Sequence, residues 1–334
     1  MKTAILIPCY NEAKTIEKVV KDFKRIMPHA EIYVYDNNST DGTDDIARKA
    51  GAIVRYEYKQ GKGNVIRTMF REIKADCYIL VDGDDTYPAE SSLEFEKLIH
   101  EGKADMVSGD RLSTTYFNEN SRLFHNTGNK IVRNSINLFF NSNLKDIMTG
   151  MRGFNYNFVK SFPASSKEFE IETEMSVFAL INNFKIIEIP IKYRNRIEGS
   201  ESKLNTYRDG FKVILMIFTL ARNNKPFYFF SIVSLALLII AGIYFIPILF
   251  KFFSTGYVFK IPTLIMIAIV VIVATIIFFT GVILHVLKHH HAENLERHLL
   301  LLNELNKSDR EDWLKHSNNN IKNNKQKRGI KLVK

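Results

Sequence analysis

A chain of 334 residues is long enough for one sizeable soluble domain with something added to it. Only two cysteines, Cys9 and Cys77, are present, both in apolar surroundings, which excludes a disulfide framework and a zinc pattern. The net charge of +10 is unevenly placed: Lys288 to Lys334 holds eleven Lys/Arg against six Asp/Glu. The addition is visible in the second half. Neither Phe227 to Phe250 nor Ile261 to Leu284 carries a charged residue, and each can cross roughly 30 Å of hydrocarbon as a helix. Two such runs back to back read as transmembrane helices rather than buried core helices. Beside a bilayer, a basic tail reads as attraction to anionic lipid, not to nucleic acid. Arg222, Lys225 and Lys288 flank the pair while Lys251 and Lys260 lie between the spans, so the positive-inside rule places both ends in the cytoplasm. Met1-Lys2-Thr3 leads into a short strand-like run broken at Pro8, unlike a signal peptide.

From the start, Thr3–Ile7 reads as a buried strand and Pro8-Cys9-Tyr10-Asn11-Glu12 as the turn leaving it. Ile16, Val19, Val20, Phe23 and Ile26 then mark one face of a helix. The strand Glu31–Tyr35 runs into the polar loop Asp36-Asn37-Asn38-Ser39-Thr40-Asp41-Gly42-Thr43. A helix near Asp44–Ala50, a strand near Ile53–Glu57 and a helix after Gly61-Lys62-Gly63 follow. This alternation predicts an α/β fold with a mostly parallel sheet, helices on both faces, and all of these polar turns at one edge. Gly61-Lys62-Gly63 is no dinucleotide fingerprint, since Ile66 stands where the third glycine belongs. Lys62 reads either as an anion contact at a helix start or as a solvated surface lysine.

The strand Cys77–Val81 ends in Asp82-Gly83-Asp84-Asp85-Thr86. Two acids separated by a glycine can turn toward one point, an oxygen donor set suited to Mg²⁺ or Mn²⁺ carrying a diphosphate. The other reading is a turn whose aspartates cap the helix beginning at Pro88-Ala89-Glu90. Glu172 and Glu174 either line the same pocket or form the wet face of a helix, the second being favoured.

The Pro8–Glu12 turn, the Asp36–Thr43 loop and Asp82-Gly83-Asp84, in this order and spacing, closely resemble family 2 glycosyltransferases of the GT-A fold. The resemblance implies a nucleotide-sugar site of Pro8, Tyr10, Glu12, Asp36, Asn38, Lys62, Asp82 and Gly83, with Asp82 and Asp84 holding the metal. Glu188-Ile189-Pro190-Ile191-Lys192-Tyr193-Arg194-Asn195-Arg196 and Gly199-Ser200-Glu201-Ser202-Lys203-Leu204 resemble the polyprenyl-phosphate branch, the dolichyl-phosphate mannose synthase-like group. Arg194, Arg196, Ser202 and Lys203 form a phosphate-binding inventory, or else a basic loop facing lipid head groups. By the same resemblance Arg111 and Arg122 approach the acceptor phosphate and join Asp82 and Asp84 in catalysis. Asp146 and Thr149-Gly150-Met151-Arg152 resemble a family element beside the site. Thr86 is a departure, since that group often has Gln there, which leaves the metal shell and the donor sugar open. The Gln-x-x-Arg-Trp motif of processive polysaccharide synthases is missing, because the single tryptophan, Trp313, follows Asp312.

The expected organisation is therefore a GT-A catalytic domain over 1–202, an amphipathic juxtamembrane helix over 203–225, two transmembrane helices over 226–288, and a basic cytoplasmic tail over 289–334. The tail is expected to begin as a helix with a leucine row, Leu295, Leu299, Leu302 and Leu305, facing the catalytic domain or another protomer, and to become disordered from Ser317. The resemblance implies an inverting, metal-dependent transferase in a bacterial or archaeal plasma membrane. It would move a hexose from UDP-glucose or UDP-N-acetylglucosamine to undecaprenyl or dolichyl phosphate. GDP-mannose is the alternative donor, and a non-catalytic membrane adaptor the alternative class. A homo-oligomer is a possible partner state; nucleic acid is not a partner.

Overall fold

The computed structural model describes residues 1–113, 133–167, 170–194, 219, 222 and 225–330, with side chains as far as Leu305. Arg122, Arg196, Ser202, Lys203 and most of the expected amphipathic helix lie outside these residues. The chain divides into two units: Met1–Glu119, Lys145–Arg196 and Asn294–Lys334 form one, and Asn120–Leu144 with Ile197–Glu293 the other.

The first unit is built on seven strands: β1 (Thr3–Cys9), β2 (Glu31–Asp36), β3 (Ile53–Tyr56), β4 (Cys77–Leu80), β5 (Met106–Asp110), β6 (Arg152–Asn155) and β7 (Ile186–Pro190). Their order across the sheet is β3-β2-β1-β4-β6-β5-β7. Every pair is parallel except those of β6, which runs antiparallel to β4 and to β5. The helices are α1 (Ile16–Ile26), α2 (Thr43–Ala50), α3 (Lys62–Glu72), α4 (Ser92–His100), α5 (Tyr156–Ser161) and α6 (Ile171–Ile181). Successive strand residues point to opposite faces, and each face has its own core. Ile5, Ile7, Val34, Ile79 and Val107 pack with Val20 and Phe23 of α1 and Phe95 of α4. Ala4, Leu6, Tyr35, Tyr78 and Leu80 pack with Ile66, Met69 and Phe70 of α3 and Ile171 and Met175 of α6. Burial on both faces is why these strands read as continuous apolar runs.

β1 extends past Ile7 to Cys9, and Pro8 explains how. The β1–β4 register ends at the pair Leu6 and Leu80. Pro8, which has no N–H to donate, therefore sits where that ladder has already closed. Strand ends align at one edge: Cys9 lies beside Asp36 in the β1–β2 register, and Val81 N donates to Leu6 O at 3.0 Å.

The second unit contains helical residues 133–140, helix α7 (Pro226–Thr255) and the apolar part of α8 (Ile261–Ile330). α7 and the Ile261–Leu305 part of α8 are long and apolar enough to cross a membrane, with large apolar side chains such as Ile239, Phe253 and Ile272 exposed. Small residues let the two helices meet: Ser234 and Ala241 on α7, Ala274 and Gly281 on α8. Ser234 Oγ donates to Ala274 O at 2.8 Å, and a Cβ at Gly281 would stand 2.7 Å from Phe230 Cβ. Past Glu293, in the first unit, Leu302 is buried and Asn303 Oδ1 accepts from Asn157 Nδ2 at 2.7 Å, whereas Leu305 is exposed. The α8 backbone stays helical past Ser317 to Ile330.

Candidate active site

The loops after β1 and β2 are laced into one piece. Asn11 and Asn38 both adopt positive φ, +55° and +63°, a backbone region that asparagine tolerates better than most residues. Asn11 Oδ1 accepts from Thr40 N at 2.8 Å, Asn11 N donates to Ser39 Oγ at 2.9 Å, and Glu12 N donates to Thr43 Oγ1 at 2.9 Å. Asp41 accepts from Ala13 N and from Thr43; burial would raise its pKa, but these donors hold it below the usual carboxylate value. The carbonyl of Glu12 opens α1, accepting from Thr15 N at 3.1 Å and Ile16 N at 3.0 Å. Asn38 Nδ2 donates to Tyr58 O at 3.0 Å, and Asn37 Oδ1 accepts from Gly61 N at 2.8 Å, tying the β2 loop to the segment ahead of α3. Tyr10 is exposed and Pro8 half-buried at the rim. Within it, Asp36 is 4% exposed; its Oδ2 accepts from Ser39 N at 3.0 Å, while Oδ1 has no hydrogen-bond partner among the described residues. An orphaned buried acceptor costs about 1–3 kcal/mol, and a donor on a ligand would offset that.

The acidic turn after β4 faces these loops. Thr15 Oγ1, at the start of α1, donates to Gly83 O at 2.6 Å. Substituting Thr15→Val removes that donor and is expected to cost about 1–2 kcal/mol, read as a lowered melting temperature; an unchanged melting temperature would contradict the bond's role. Asp84 Oδ1 accepts from Thr86 Oγ1 at 2.6 Å and Thr86 N at 3.3 Å, so the threonine that departs from the family pattern fixes this carboxylate. Asp85, at φ +59°, pairs instead with Lys18 and with Arg194 Nη1, the latter at 3.0 Å. Arg194 N also donates to Thr86 O at 2.9 Å. Of the four residues in the basic inventory, Arg194 is thus the one described, and it lies on the acidic turn. Neither the 3₁₀ turn Ala89–Ser91 nor α4 takes a side-chain cap, so the capping reading of these aspartates fails. Burial, and then Glu12, Asp36, Asp82 and Asp84, push the Cys9 thiol's pKa well up, which marks how four acids converge on the end of β1.

Lys62 is not a solvated lysine. Its side chain is 11% exposed, and Nζ donates to Asp82 Oδ1 and to Glu172 Oε1, both at 2.5 Å. Burial alone would lower its pKa, but the two carboxylates reverse this and raise it. Glu174 accepts from Ser165 N and Ser166 N, both at 2.8 Å. The favoured reading of a wet helix face is therefore overturned for Glu172, which is buried, while Glu174 is half-buried. The missed signal is on α6 itself: Ile171, Met175, Val177 and Ala179 leave little polar face, so an acid there must find a buried partner.

The segment before β6 backs the acidic turn. A Cβ at Gly150 would lie 2.1 Å from Asp82 Oδ2, so no larger residue fits there with Asp82 in place. Gly150 N donates to the buried Tyr87 hydroxyl at 2.9 Å. Arg152 is fully buried and donates to Ile147 O at 2.5 Å and Thr149 O at 3.1 Å; burial pulls its pKa down to about 10. Arg111 grips Asp146 with Nε at 2.7 Å and Nη2 at 3.1 Å, and its guanidinium lies 5.5 Å from the Tyr193 ring centroid. The structure thus brings Asp36, Lys62, Asp82, Gly83 and Asp84 together with Pro8, Tyr10 and Glu12 around them, and holds Arg111 on Asp146.

This sheet edge on this α/β scaffold defines a domain of the GT-A type, and comparisons with known proteins agree. The Glycosyl transferase family 2 profile matches residues 4–162. Glycosyltransferase AglJ of Haloferax volcanii is 34% identical over 233 residues, covering 70% of this chain and 76% of that protein. The dolichyl-phosphate hexose transferase of the same organism is 30% identical over 207 residues, 62% of this chain and 88% of that protein. Among solved structures, glucosyl-3-phosphoglycerate synthase from Mycobacterium tuberculosis, in complex with Mn²⁺, UDP and glucosyl-3-phosphoglycerate, superposes with a TM-score of 0.53 at 16% identity, over 65% of this chain and 79% of that one. The chain belongs to glycosyltransferase family 2.

Proposed function

We propose that the protein transfers a hexose from a nucleotide diphosphate sugar, UDP-linked in preference to GDP-linked, to a polyprenyl phosphate at a membrane surface. The observation that carries this reading is the carboxylate pair Asp82 and Asp84 at the carboxyl end of β4, beside the orphaned Asp36 Oδ1. Open α/β sheets bind ligands at this edge. Two hard oxygen donors fit Mg²⁺ or Mn²⁺. Among the described residues no group of three or more His, Cys, Asp or Glu gathers for a metal, and such a cation normally takes its remaining ligands from phosphate and water. Bound there, it would neutralise the leaving diphosphate as a Lewis acid.

On this reading Asp36, Asn38, Pro8, Tyr10 and Glu12 border the nucleoside, and Lys62, Asp82, Gly83 and Asp84 the diphosphate. A phosphate oxygen of the lipid attacks the anomeric carbon, the bond to the nucleoside diphosphate breaks with inversion, and that diphosphate leaves with the electron pair. With a second pKa near 6, the acceptor monoester is already largely deprotonated at neutral pH, so no strong general base is required. Catalysis then rests on positioning and charge, with Arg111, Arg122, Arg194, Arg196, Ser202 and Lys203 proposed to hold the acceptor. What supports a lipid acceptor is the pair of apolar helices and the similarity to a dolichyl-phosphate hexose transferase. The catalytic domain and tail are proposed to face the cytoplasm.

The test is a panel of labelled UDP- and GDP-hexoses offered with undecaprenyl or dolichyl phosphate to the full chain in detergent. Label in a polyprenyl-phosphate sugar is expected from a UDP donor. Donor hydrolysis with no labelled lipid would overturn the acceptor assignment.

A further inference from the structure

Lys62 Nζ is shared between Asp82 Oδ1 and Glu172 Oε1, 2.5 Å from each. The side chains of Lys62 and Glu172 are 11% and 6% exposed and that of Asp82 25%, so one largely buried ammonium is shared between a buried carboxylate and one that solvent still reaches. Both ends of this arrangement are fixed. Gly61 N donates to Asn37 Oδ1 at 2.8 Å and Gly63 N to Lys167 O at 3.0 Å, which anchors the start of α3. Gly150 lies so close to Asp82 Oδ2 that a Cβ there would stand 2.1 Å away. Asp82 therefore meets a lysine on one oxygen, and the other occupies space that only a glycine at position 150 leaves open.

Two cations on one carboxylate repel strongly where water is scarce. We propose that Lys62 competes with the divalent cation for Asp82, and that Glu172 is the partner to which Lys62 retreats when the cation arrives with the donor diphosphate. The inference rests on the reading of Asp82 and Asp84 as the metal and diphosphate site. Its consequence is an order of events: Lys62 keeps Asp82 neutralised in the resting enzyme and turns toward Glu172 and the diphosphate as the charged donor enters. Glu172 is then a positioning residue that acts through Lys62.

The experiment is Mn²⁺ binding to the full chain in detergent, read from the paramagnetic resonance of free Mn²⁺, with and without UDP. Without UDP, Lys62→Gln should bind Mn²⁺ about tenfold more tightly than the natural protein, equivalent to about 1.4 kcal/mol. Glu172→Gln should bind it more weakly, because Lys62 then loses the carboxylate that draws it away from Asp82. The double variant Lys62→Gln with Glu172→Gln should keep the gain, since the gain comes from freeing Asp82 and not from a new Asp82–Glu172 site. With UDP the natural protein should bind Mn²⁺ tightly and the Lys62→Gln advantage should shrink. Equal affinities without UDP, or loss of the gain in the double variant, would overturn the proposal. Should Lys62→Gln not fold, Glu172→Gln still decides, as unchanged or tighter binding contradicts the competition. A natural protein that binds no Mn²⁺ even with UDP would instead overturn the donor-site reading.

Discussion

Substituting Asp84→Ala is expected to lower sugar transfer by about 10³-fold or more, the scale seen when a main electrostatic stabiliser of a transition state is removed. Of the three carboxylates after β4, Asp85 is taken up by Lys18 and Arg194, while Asp84 is held in place by Thr86 through two hydrogen bonds. Both cores lie on the sheet faces behind it, so the fold should survive and the melting temperature should fall only slightly. Asp84→Asn is the informative control. It keeps an acceptor for Thr86 and removes the charge, so it should restore the melting temperature without restoring transfer. Initial rates at saturating donor and metal check this; either variant retaining more than a tenth of the natural rate would contradict the role of Asp84.

The second large effect is expected at Arg152. This guanidinium is fully buried and donates to the carbonyls of Ile147 and Thr149. In Arg152→Met both carbonyls lose a charged donor inside the core, at about 1–3 kcal/mol each. For a domain of this size that total corresponds to a melting temperature lower by roughly 5–15 °C. The carbonyls belong to the segment that sets Gly150 against Asp82, so transfer should fall with stability. Thermal unfolding together with rates measured well below the transition separates the two effects. A variant with an unchanged melting temperature would show that the buried arginine does not hold this segment.

The sheet edge was legible because its parts are local. β1, β2 and β4 are apolar runs closed by polar turns, and Asn11, Asn38 and Asp84 stand in those turns. What escaped depends on partners far along the chain. β6 contains an arginine and a glycine and shows no strand pattern, yet it pairs with β4 and β5 because Arg152 is satisfied by carbonyls of its own approach segment. Glu172 reads as an exposed acid until Lys62, 110 positions away, is brought to it. Arg194 reads as a phosphate ligand from its type alone, and its pairing with Asp85 follows from the course of the chain after β7.

The carboxylate pair Asp82 and Asp84 after β4 is proposed to work through a divalent cation on a nucleotide sugar. The most direct measurement is label transfer to polyprenyl phosphate by the full chain before chelation, after chelation, and after Mn²⁺ or Mg²⁺ is restored. The predicted result is labelled lipid that disappears with chelator and returns with metal, and that Asp84→Ala never forms. Transfer that persists in chelator, or that Asp84→Ala supports at the natural rate, would contradict it.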